Sequence, residues 1–217
     1  MPNKTKTDII DRFERVARIY GVVTPFMFRT WNRMATMARL QAGDRVLDVA
    51  GGTGNLAARL ARRDVAVTLV DLSPAMLERA ARRLRGTGVS ILPADATNLP
   101  YPDNSFDVSF ISLALHEVPL PEAEAFLGEM ARVTRRTIVA ADFAVPRTRP
   151  GTWALKQTIG RAEEPSFFAF LEVGLAGLAR RAGLEVTETA RPWLAGTEVV
   201  RVQMAERGRM ATAAAEQ

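Results

Sequence analysis

The sequence predicts an α/β fold, in which a mostly parallel sheet of seven strands is wound on both sides by helices. From residue 43 onward, β-branched runs alternate with helical segments, which is typical of parallel βαβ units. The last two predicted strands are joined by only eight residues, 190–197, too few for a crossover helix. We therefore expect an antiparallel hairpin at the C-terminus. Residues 1–40 have helical periodicity, with Pro25 as an expected interruption, and predict an N-terminal helical cap.

The individual strands and helices follow from local composition. Arg45–Val49 is a short apolar run after a Gly-Asp turn, and Val65–Val70 is rich in β-branched residues. Ser73 can cap a helix that begins at Pro74, and Gly183 suits the end of another. The predicted strands are 45–49, 65–70, 89–92, 106–113, 137–141, 184–189 and 198–204, and the predicted helices between them are 54–63, 73–84, 121–134 and 164–182. In such Rossmann-like, doubly wound sheets, ligands bind beyond the carboxyl ends of the strands.

The chain of 217 residues is long enough for one α/β domain with a helical attachment. We expect the following parts: a cap at 1–40 over the active site, a main domain at 41–206 with a substrate-covering insertion at 143–165, and a flexible tail at 207–217. The absence of cysteine excludes thiol catalysis and cysteine-ligated metals, and a single histidine, His116, excludes a multi-histidine metal site. No apolar run is long enough for a membrane span and the N-terminus has no signal-peptide pattern, so a cytoplasmic protein is expected.

The net charge of +5 does not by itself indicate a nucleic-acid partner. Only three of the 29 basic residues are lysines, and the arginines recur at spacings typical of solvated helix faces. No basic stretch alternates with aromatic residues, as an RNA-binding platform would. We therefore expect no nucleic acid as partner, while peripheral contact with a membrane surface stays open, as does the choice between monomer and homodimer.

The segment from Val46 to Asn55, VLDVAGGTGN, is the first candidate site. A buried strand ends in an acid, Asp48, and breaks into a glycine-rich turn that opens a helix. Glycines let the backbone approach a ligand closely, and free N–H groups at a helix start suit a carboxylate or phosphate. The loop also fits the dinucleotide pattern G-x-G-x-x-A, so a nicotinamide cofactor is an alternative. An acid before the glycines offers nothing to a pyrophosphate, whereas it would stabilise a ligand ammonium group.

Two further acids follow at the ends of the next predicted strands. Asp71 comes 23 residues after Asp48, where its carboxylate can accept hydrogen bonds from both hydroxyls of a ribose. Asp95 comes 24 residues later, where it can accept from the amino group of an adenine. An ammonium group, a ribose and an adenine in this order along one sheet edge describe S-adenosyl-L-methionine (SAM), whose demethylated product is S-adenosyl-L-homocysteine.

Over residues 43–143 the sequence resembles the class I SAM-dependent methyltransferases, through VLDVAGGTG, VDLSPAML and ADATNLPYPDNSFDVSFISLALHEV. The Ala50-Gly51-Gly52 variant and LPYPDNSFD are most similar to the small-molecule branch that includes the UbiE-type quinone methyltransferases. With the acids above, the resemblance implies a cofactor site formed by these residues: Tyr20, Asp48, Ala50, Gly51, Gly52, Gly54, Asp71, Leu72, Met76, Asp95, Ala96, Ser112 and Leu113. The sequence departs from the family at Ala50, where glycine is usual, and at Thr134-Arg135-Arg136, where a Lys-Pro-Gly-Gly turn is usual.

Methyl transfer requires an aligned acceptor in a dry pocket, and requires a base only if the acceptor must lose a proton. His116, three residues after Leu113, is the expected catalytic base, because an imidazole pKa of about 6.5 suits that role. A buried structural histidine is the alternative. Asp142 ends the fifth strand at the same edge and is expected to orient the acceptor as a second catalytic residue, and Glu117 is a weaker candidate base.

The expected acceptor is a small, apolar or aromatic molecule, methylated by in-line displacement. Aromatic residues gather in the cap and around the insertion: Tyr20, Phe26, Phe28, Trp31, Phe143, Trp153, Phe167, Phe168 and Phe170. Two alternatives stay open, an NAD(P)-dependent oxidoreductase and a SAM-binding protein without catalysis. Methylation of adenine in nucleic acid is disfavoured, because Ser112-Leu113-Ala114-Leu115 stands where such enzymes carry an Asn/Asp-Pro-Pro-Tyr/Phe motif.

Overall fold

The computed structural model describes residues 20–144, 165–191 and 196–204, and the strands, helices and contacts given below lie within these residues. Seven strands form one sheet: β1 (Asp44–Val49), β2 (Val65–Asp71), β3 (Ser90–Pro93), β4 (Phe106–Ser112), β5 (Thr134–Phe143), β6 (Val186–Ala190) and β7 (Thr197–Gln203). Six α-helices accompany them: α1 (Tyr20–Met37), α2 (Ala57–Leu60), α3 (Pro74–Arg83), α4 (Leu120–Val133), α5 (Pro165–Val173) and α6 (Leu175–Arg181). A single 3₁₀ turn, Leu115–Glu117, follows β4.

The strand order across the sheet is β3-β2-β1-β4-β5-β7-β6. Strands β1 to β5 pair in parallel, whereas β7 runs antiparallel between β5 and β6. The predicted fold class, a mostly parallel doubly wound sheet with an antiparallel C-terminal hairpin, is therefore confirmed. The order of the strands reverses between β1 and β4, and this switch point is where ligands bind in sheets of this kind.

Each face of the sheet has its own hydrophobic core. One core contains Met34 of α1, Leu60 of α2 and Ala80 of α3. The other contains Leu127 of α4 and Phe170 of α5. Most of these side chains are inaccessible to solvent, and burying each of the large ones contributes roughly 1.5–3 kcal/mol to folding.

Three helices differ from the prediction. Helix α1 runs through Pro25 without interruption; a proline costs an interior helix about 3 kcal/mol, but packing can outweigh that cost. The predicted helix 164–182 is divided at Gly174, whose φ of 69° is left-handed and ends α5. The predicted helix 54–63 is regular only over α2, because Gly54 at φ 77° belongs to the preceding loop.

The segment Thr134-Arg135-Arg136, where the resembling family usually has a Lys-Pro-Gly-Gly turn, forms the start of β5. Helix α4 ends at Val133 and β5 begins at the next residue, Thr134, with no loop between them. The absence of the usual Lys-Pro-Gly-Gly turn is therefore accommodated by a direct passage from helix to strand.

Several expectations lie outside the described residues. These are residues 1–19 of the cap, 145–164 of the insertion and the whole tail from residue 207. The division of the chain into cap, domain, insertion and tail stays a prediction. Among the helices of the described ranges, none combines the length and the hydrophobicity that crossing a bilayer requires.

Candidate functional site

A pocket lies beyond the carboxyl ends of β1 to β4, at the switch point of the sheet. Eleven of the predicted cofactor residues line it: Asp48, Ala50, Gly51, Gly52, Asp71, Leu72, Met76, Asp95, Ala96, Ser112 and Leu113. Sequence reasoning did not place these other lining residues at the cofactor: Trp31, Thr53, Asn55, Leu56, Ala94, Ala114, Val118, Glu122 and Phe126. Tyr20 begins α1, but its side chain lies outside the described part of the structure.

The turn after β1 has a left-handed backbone at alternate residues. Ala50 has φ 49° and Gly52 has φ 55°. Alanine bears a cost of about 1–2 kcal/mol in this conformation and glycine does not, so the usual glycine of the family is replaced here at an energetic cost. Gly51 lies between them against β2, where an added Cβ would come within 2.7 Å of the Leu69 side chain. Its small size therefore allows the turn to pack on the sheet.

Gly52 and Gly54 serve different purposes. A Cβ added to Gly52 would meet no protein atom within 4 Å, so this residue leaves open space at the pocket wall. A Cβ added to Gly54 would come within 2.8 Å of Leu84, and Gly54 does not line the pocket. Gly52 thus permits close approach of a ligand, whereas Gly54 permits packing of α3 against the loop.

We expect Gly52→Ala to reduce SAM affinity at least tenfold, because the new methyl group would occupy space that the ligand needs. Gly88→Ala is the matched control, since Gly88 also has a positive φ of 77° and open space at its Cβ, but lies outside the pocket lining. Isothermal titration calorimetry with SAM measures both affinities. Equal affinities in the two variants would remove Gly52 from the cofactor site.

Asp48 is the most unusual group in the pocket. Its side chain is 1% exposed, and neither carboxyl oxygen accepts a hydrogen bond within the described structure. Burial raises the pKa of Asp48 to about 7, an effect that the nearby backbone N–H of Ala57 partly offsets and the charge of Asp71 reinforces. A buried carboxylate without a partner is costly. A ligand cation at this point would supply the partner that none of the described residues provides.

Asp71 holds the loop as well as facing the pocket. One carboxyl oxygen accepts from the Gly52 N–H over 2.8 Å, and the other accepts from the Ser73 N–H over 2.8 Å. Burial raises the pKa of Asp71, and the hydrogen bonds from these backbone donors offset only part of that rise. Each oxygen keeps a second lone pair, so the carboxylate can also accept from hydroxyl groups of a ligand.

We expect Asp71→Ala to weaken SAM binding by about 1–3 kcal/mol, or roughly 5- to 150-fold in Kd, since charge-assisted hydrogen bonds are lost. The matched control is Asp107→Ala, because Asp107 likewise accepts from a backbone N–H, that of Arg45 at 2.9 Å, outside the pocket lining. Calorimetry on both variants distinguishes the loss of a ribose contact from the general effect of removing a carboxylate that accepts a backbone hydrogen bond. An unchanged affinity for Asp71→Ala would contradict the ribose assignment.

Asp95 lies in a turn that follows β3 and leads toward β4. Its Oδ1 accepts from both the backbone N–H and the hydroxyl of Thr97, over 2.9 and 2.7 Å. Arg132 of α4 anchors the continuation of this turn by donating to the carbonyl oxygens of Leu99 and Tyr101, over 3.0 and 2.7 Å. These bonds fix the position of Asp95 at the pocket wall.

The cap reaches the pocket through Trp31 of α1. Its indole Nε1 donates to the Ser112 hydroxyl over 3.0 Å, at the end of β4. The neighbouring hydroxyls of Thr30 and Thr197 lie 2.9 Å apart and tie the same helix to β7. The sequence placed Trp31 among the aromatics of the cap, and only the fold shows that it is a wall of the pocket.

The two predicted catalytic residues lie together, but they do not line the pocket. His116 is 3% exposed, and its Nδ1 lies 2.6 Å from Oδ1 of Asp142, which is itself fully buried. Its Nε2 lies 3.2 Å from a carboxyl oxygen of Glu117, and the rings of Phe143 and Phe167 pack edge-on against the imidazole. Desolvation lowers the pKa of His116, but the charges and hydrogen bonds of Asp142 and Glu117 outweigh this effect and raise it to about 10. An imidazole in this state is a buried cation at neutral pH.

The pocket suits SAM on the evidence of its own residues. Asp48 is a buried carboxyl group with no hydrogen-bond partner among the described residues, Gly52 opens the wall beside it, and Asp71 and Asp95 follow along the same edge. An ammonium group, a ribose and an adenine can thus be placed in the order that the sequence predicts.

Comparison with known proteins agrees with this geometry. The profile of a family described as a methyltransferase domain matches residues 46–137. A demethylmenaquinone methyltransferase of Beutenbergia cavernae is 40% identical over 156 residues, which cover 68% of this chain and 63% of the relative. A ubiquinone/menaquinone biosynthesis C-methyltransferase UbiE of Coxiella burnetii is 36% identical over 165 residues, covering 69% and 65%. This chain thus matches slightly less than two thirds of the length of these two relatives.

A longer match and a solved structure extend the comparison. A demethylmenaquinone methyltransferase of Thermobifida fusca is 30% identical over 211 residues, which cover 88% of each chain. A SAM-dependent methyltransferase from Aquifex aeolicus has a TM-score of 0.68 at 20% identity, covering 87% of this chain and 98% of that one. The structural likeness supports the fold.

Proposed function

Because this chain belongs to the class I SAM-dependent methyltransferases of the UbiE type, we propose that it transfers a methyl group from SAM to a small quinol-type acceptor. The main support for SAM as the cofactor is the state of Asp48. This buried carboxyl group lines the pocket beneath the glycine-rich turn and has no hydrogen-bond partner in the described structure. Related proteins named for menaquinone and ubiquinone synthesis support the acceptor class.

SAM, when bound, supplies a methyl group made electrophilic by its sulfonium centre. Asp48 holds the ammonium group, Asp71 accepts from the ribose hydroxyls, and Asp95 accepts from the adenine amino group. Met76 and Leu72 provide apolar surface beside the adenosine. The protein's contribution is alignment and exclusion of water, which together account for much of the rate of such displacements.

The acceptor binds beside the ends of β4 and β5 in this proposal. Trp31, Leu113 and Ala114 form an apolar wall there. A flat apolar ring can pack against the indole of Trp31, whose Nε1 is already engaged with Ser112. A quinol fits this wall better than a charged amine, because no carboxylate other than the cofactor acids and Glu122 lines the described pocket.

In the proposed reaction His116 transfers no proton. Both of its ring nitrogens face carboxylates, and the side chain is buried among phenylalanines. Its role in catalysis, and that of Asp142, stays a prediction from the sequence. His116 belongs to the 3₁₀ turn and is paired with Asp142 of β5, and neither residue lines the pocket, which supports a positioning role for both.

Titration and transfer assays test the proposal. We expect SAM to bind with a Kd in the micromolar range, NADH to give no heat, and radiolabelled methyl to pass to a reduced naphthoquinone. Phenols and amines serve as comparison acceptors. NADH binding without SAM binding would favour an oxidoreductase, whereas SAM binding with no transfer to any acceptor class would favour a non-catalytic SAM-binding protein.

A further inference from the structure

Arginines gather on the flank of the molecule beside the pocket wall. Arg59, Arg62 and Arg63 line a groove with Asn32 of α1. Within the described residues, no carboxylate lies within ion-pair distance of these three arginines. The pKa of Arg59 is lowered by desolvation and by the charge of Arg62, as expected where like charges crowd together.

An exposed aromatic ring belongs to the same surface. Phe28 of α1 is 49% exposed and is the only aromatic among the exposed large apolar residues of the described structure. The guanidinium of Arg59 lies 3.9 Å from the centre of its ring, and Arg29 follows as another exposed basic residue. A ring beside clustered guanidinium groups suits the headgroup region of a bilayer, where the ring meets acyl chains and the cations meet phosphates.

This surface continues into the pocket wall. Trp31 is one helical turn beyond Phe28 on α1, and its ring centre lies 5.7 Å from the same Arg59 guanidinium. Trp31 also lines the pocket, and its Nε1 donates to the Ser112 hydroxyl. A molecule that leaves a bilayer at Phe28 would therefore meet the wall of the pocket next.

We infer that Phe28, Arg29, Arg59, Arg62 and Arg63 form a docking surface for an anionic lipid bilayer, through which an apolar acceptor reaches the pocket. The acceptor part of this inference rests on the proposed function, whereas the binding to lipid does not. Nucleic acid is the less suitable partner, because single strands are held by several stacking aromatics and this surface offers one.

Vesicle co-sedimentation tests the docking surface. We expect the protein to bind phosphatidylcholine vesicles that contain 30 mol% phosphatidylglycerol and to dissociate from them at high salt. It should not bind vesicles of phosphatidylcholine alone. Each basic residue near an anionic bilayer contributes about fivefold to partitioning, so Arg62→Gln/Arg63→Gln should weaken binding about 30-fold. Phe28→Ser should weaken it further.

The matched control is Arg180→Gln/Arg181→Gln, which makes the same charge change at exposed residues of α6, on the opposite face of the sheet. An equal loss in both double variants would show that net charge, not this surface, drives binding, and would overturn the inference. Release by millimolar inorganic phosphate would identify a free-anion site instead. Retention of a DNA duplex with no vesicle binding would assign the surface to nucleic acid.

Two further measurements separate this inference from the proposed function. SAM affinity and methyl transfer to a water-soluble quinol should be unchanged in Arg62→Gln/Arg63→Gln. Transfer to a quinol embedded in anionic vesicles should fall with the loss of binding. If the wild-type protein binds vesicles but not SAM, the proposed function fails and the docking surface stands. If it binds SAM but not anionic vesicles, the docking surface fails alone.

Discussion

Replacing Asp48 with asparagine is expected to stabilise the free protein above pH 7 while weakening SAM binding by about 10- to 100-fold. The buried carboxylate has its pKa raised from 3.8 to about 7, so the folded state loses stability as the pH rises from about 4 to about 7. At 1.36 kcal/mol for each pKa unit, the cost approaches roughly 4 kcal/mol. An asparagine carries no charge, but its buried amide group still needs hydrogen-bond partners. We therefore expect the free energy of unfolding to rise by about 1–3 kcal/mol at pH 8.

The same substitution changes how binding depends on pH. Below pH 7 the wild-type carboxylate becomes protonated, so SAM affinity should fall by up to tenfold per pH unit. Above about pH 8 an amino acid ammonium group itself loses its proton, so affinity should pass through a maximum between these limits. In Asp48→Asn the decline on the acid side should disappear. Urea denaturation and calorimetry from pH 5 to 9 measure both effects.

Asp64→Asn is the control for this experiment, because Asp64 is exposed and does not line the pocket. It should leave both stability and SAM affinity within a few tenths of a kcal/mol of wild type, as surface substitutions usually do. If Asp48→Asn destabilises the free protein and leaves SAM affinity unchanged, Asp48 has a structural partner and is not the ammonium site.

The sheet and the position of the three acids at its edge could be predicted because their signals are local. β-branched runs mark the strands, and an acid at the end of a strand is placed at the ligand-binding edge whatever the rest of the chain does. The insertion of β7 between β5 and β6 has no such local signal, although the short connection between β6 and β7 predicts that these two strands pair antiparallel. Trp31 could be placed on a helix, but not beside Ser112, since that contact joins segments 81 residues apart.

The environment of His116 could not be predicted for the same reason. The residues around it on the chain, LALHEVP, are compatible with an exposed base and with a buried cation. The environment of His116 depends on residues that are distant in the sequence. Asp142 of β5 pairs with its imidazole, and Phe167 and Phe170 of α5 pack against it. The backbone N–H groups of Leu115 and Phe143 also donate to Asp142, over 3.0 and 2.7 Å, so one carboxylate joins the turn after β4 to β5.

Replacing His116 with glutamine is therefore expected to lower the free energy of unfolding by about 3–5 kcal/mol at neutral pH, because one partner of a buried ion pair is removed. The folded-state pKa is raised above the usual value of 6.5 to about 10. The stabilisation is then fully present below pH 6.5 and is lost as the pH rises toward 10, at up to 1.36 kcal/mol per pH unit. This slope should be absent in the variant.

Since His116 is the single histidine of the chain, its protonation can be followed without assignment in ¹H–¹³C spectra of the imidazole. The signal should stay constant from pH 6 to 8 and move only near pH 10. Asp142→Asn keeps an acceptor but removes the carboxylate that raises the pKa of His116 most, so the same titration should move to a lower pH. A wild-type midpoint near 6.5 would contradict the buried ion pair and restore His116 as a base. Asp48 and His116 lower stability in successive pH ranges as the pH rises, so the two variants divide the pH dependence of folding between a group that lines the pocket and an ion pair that lies outside its lining.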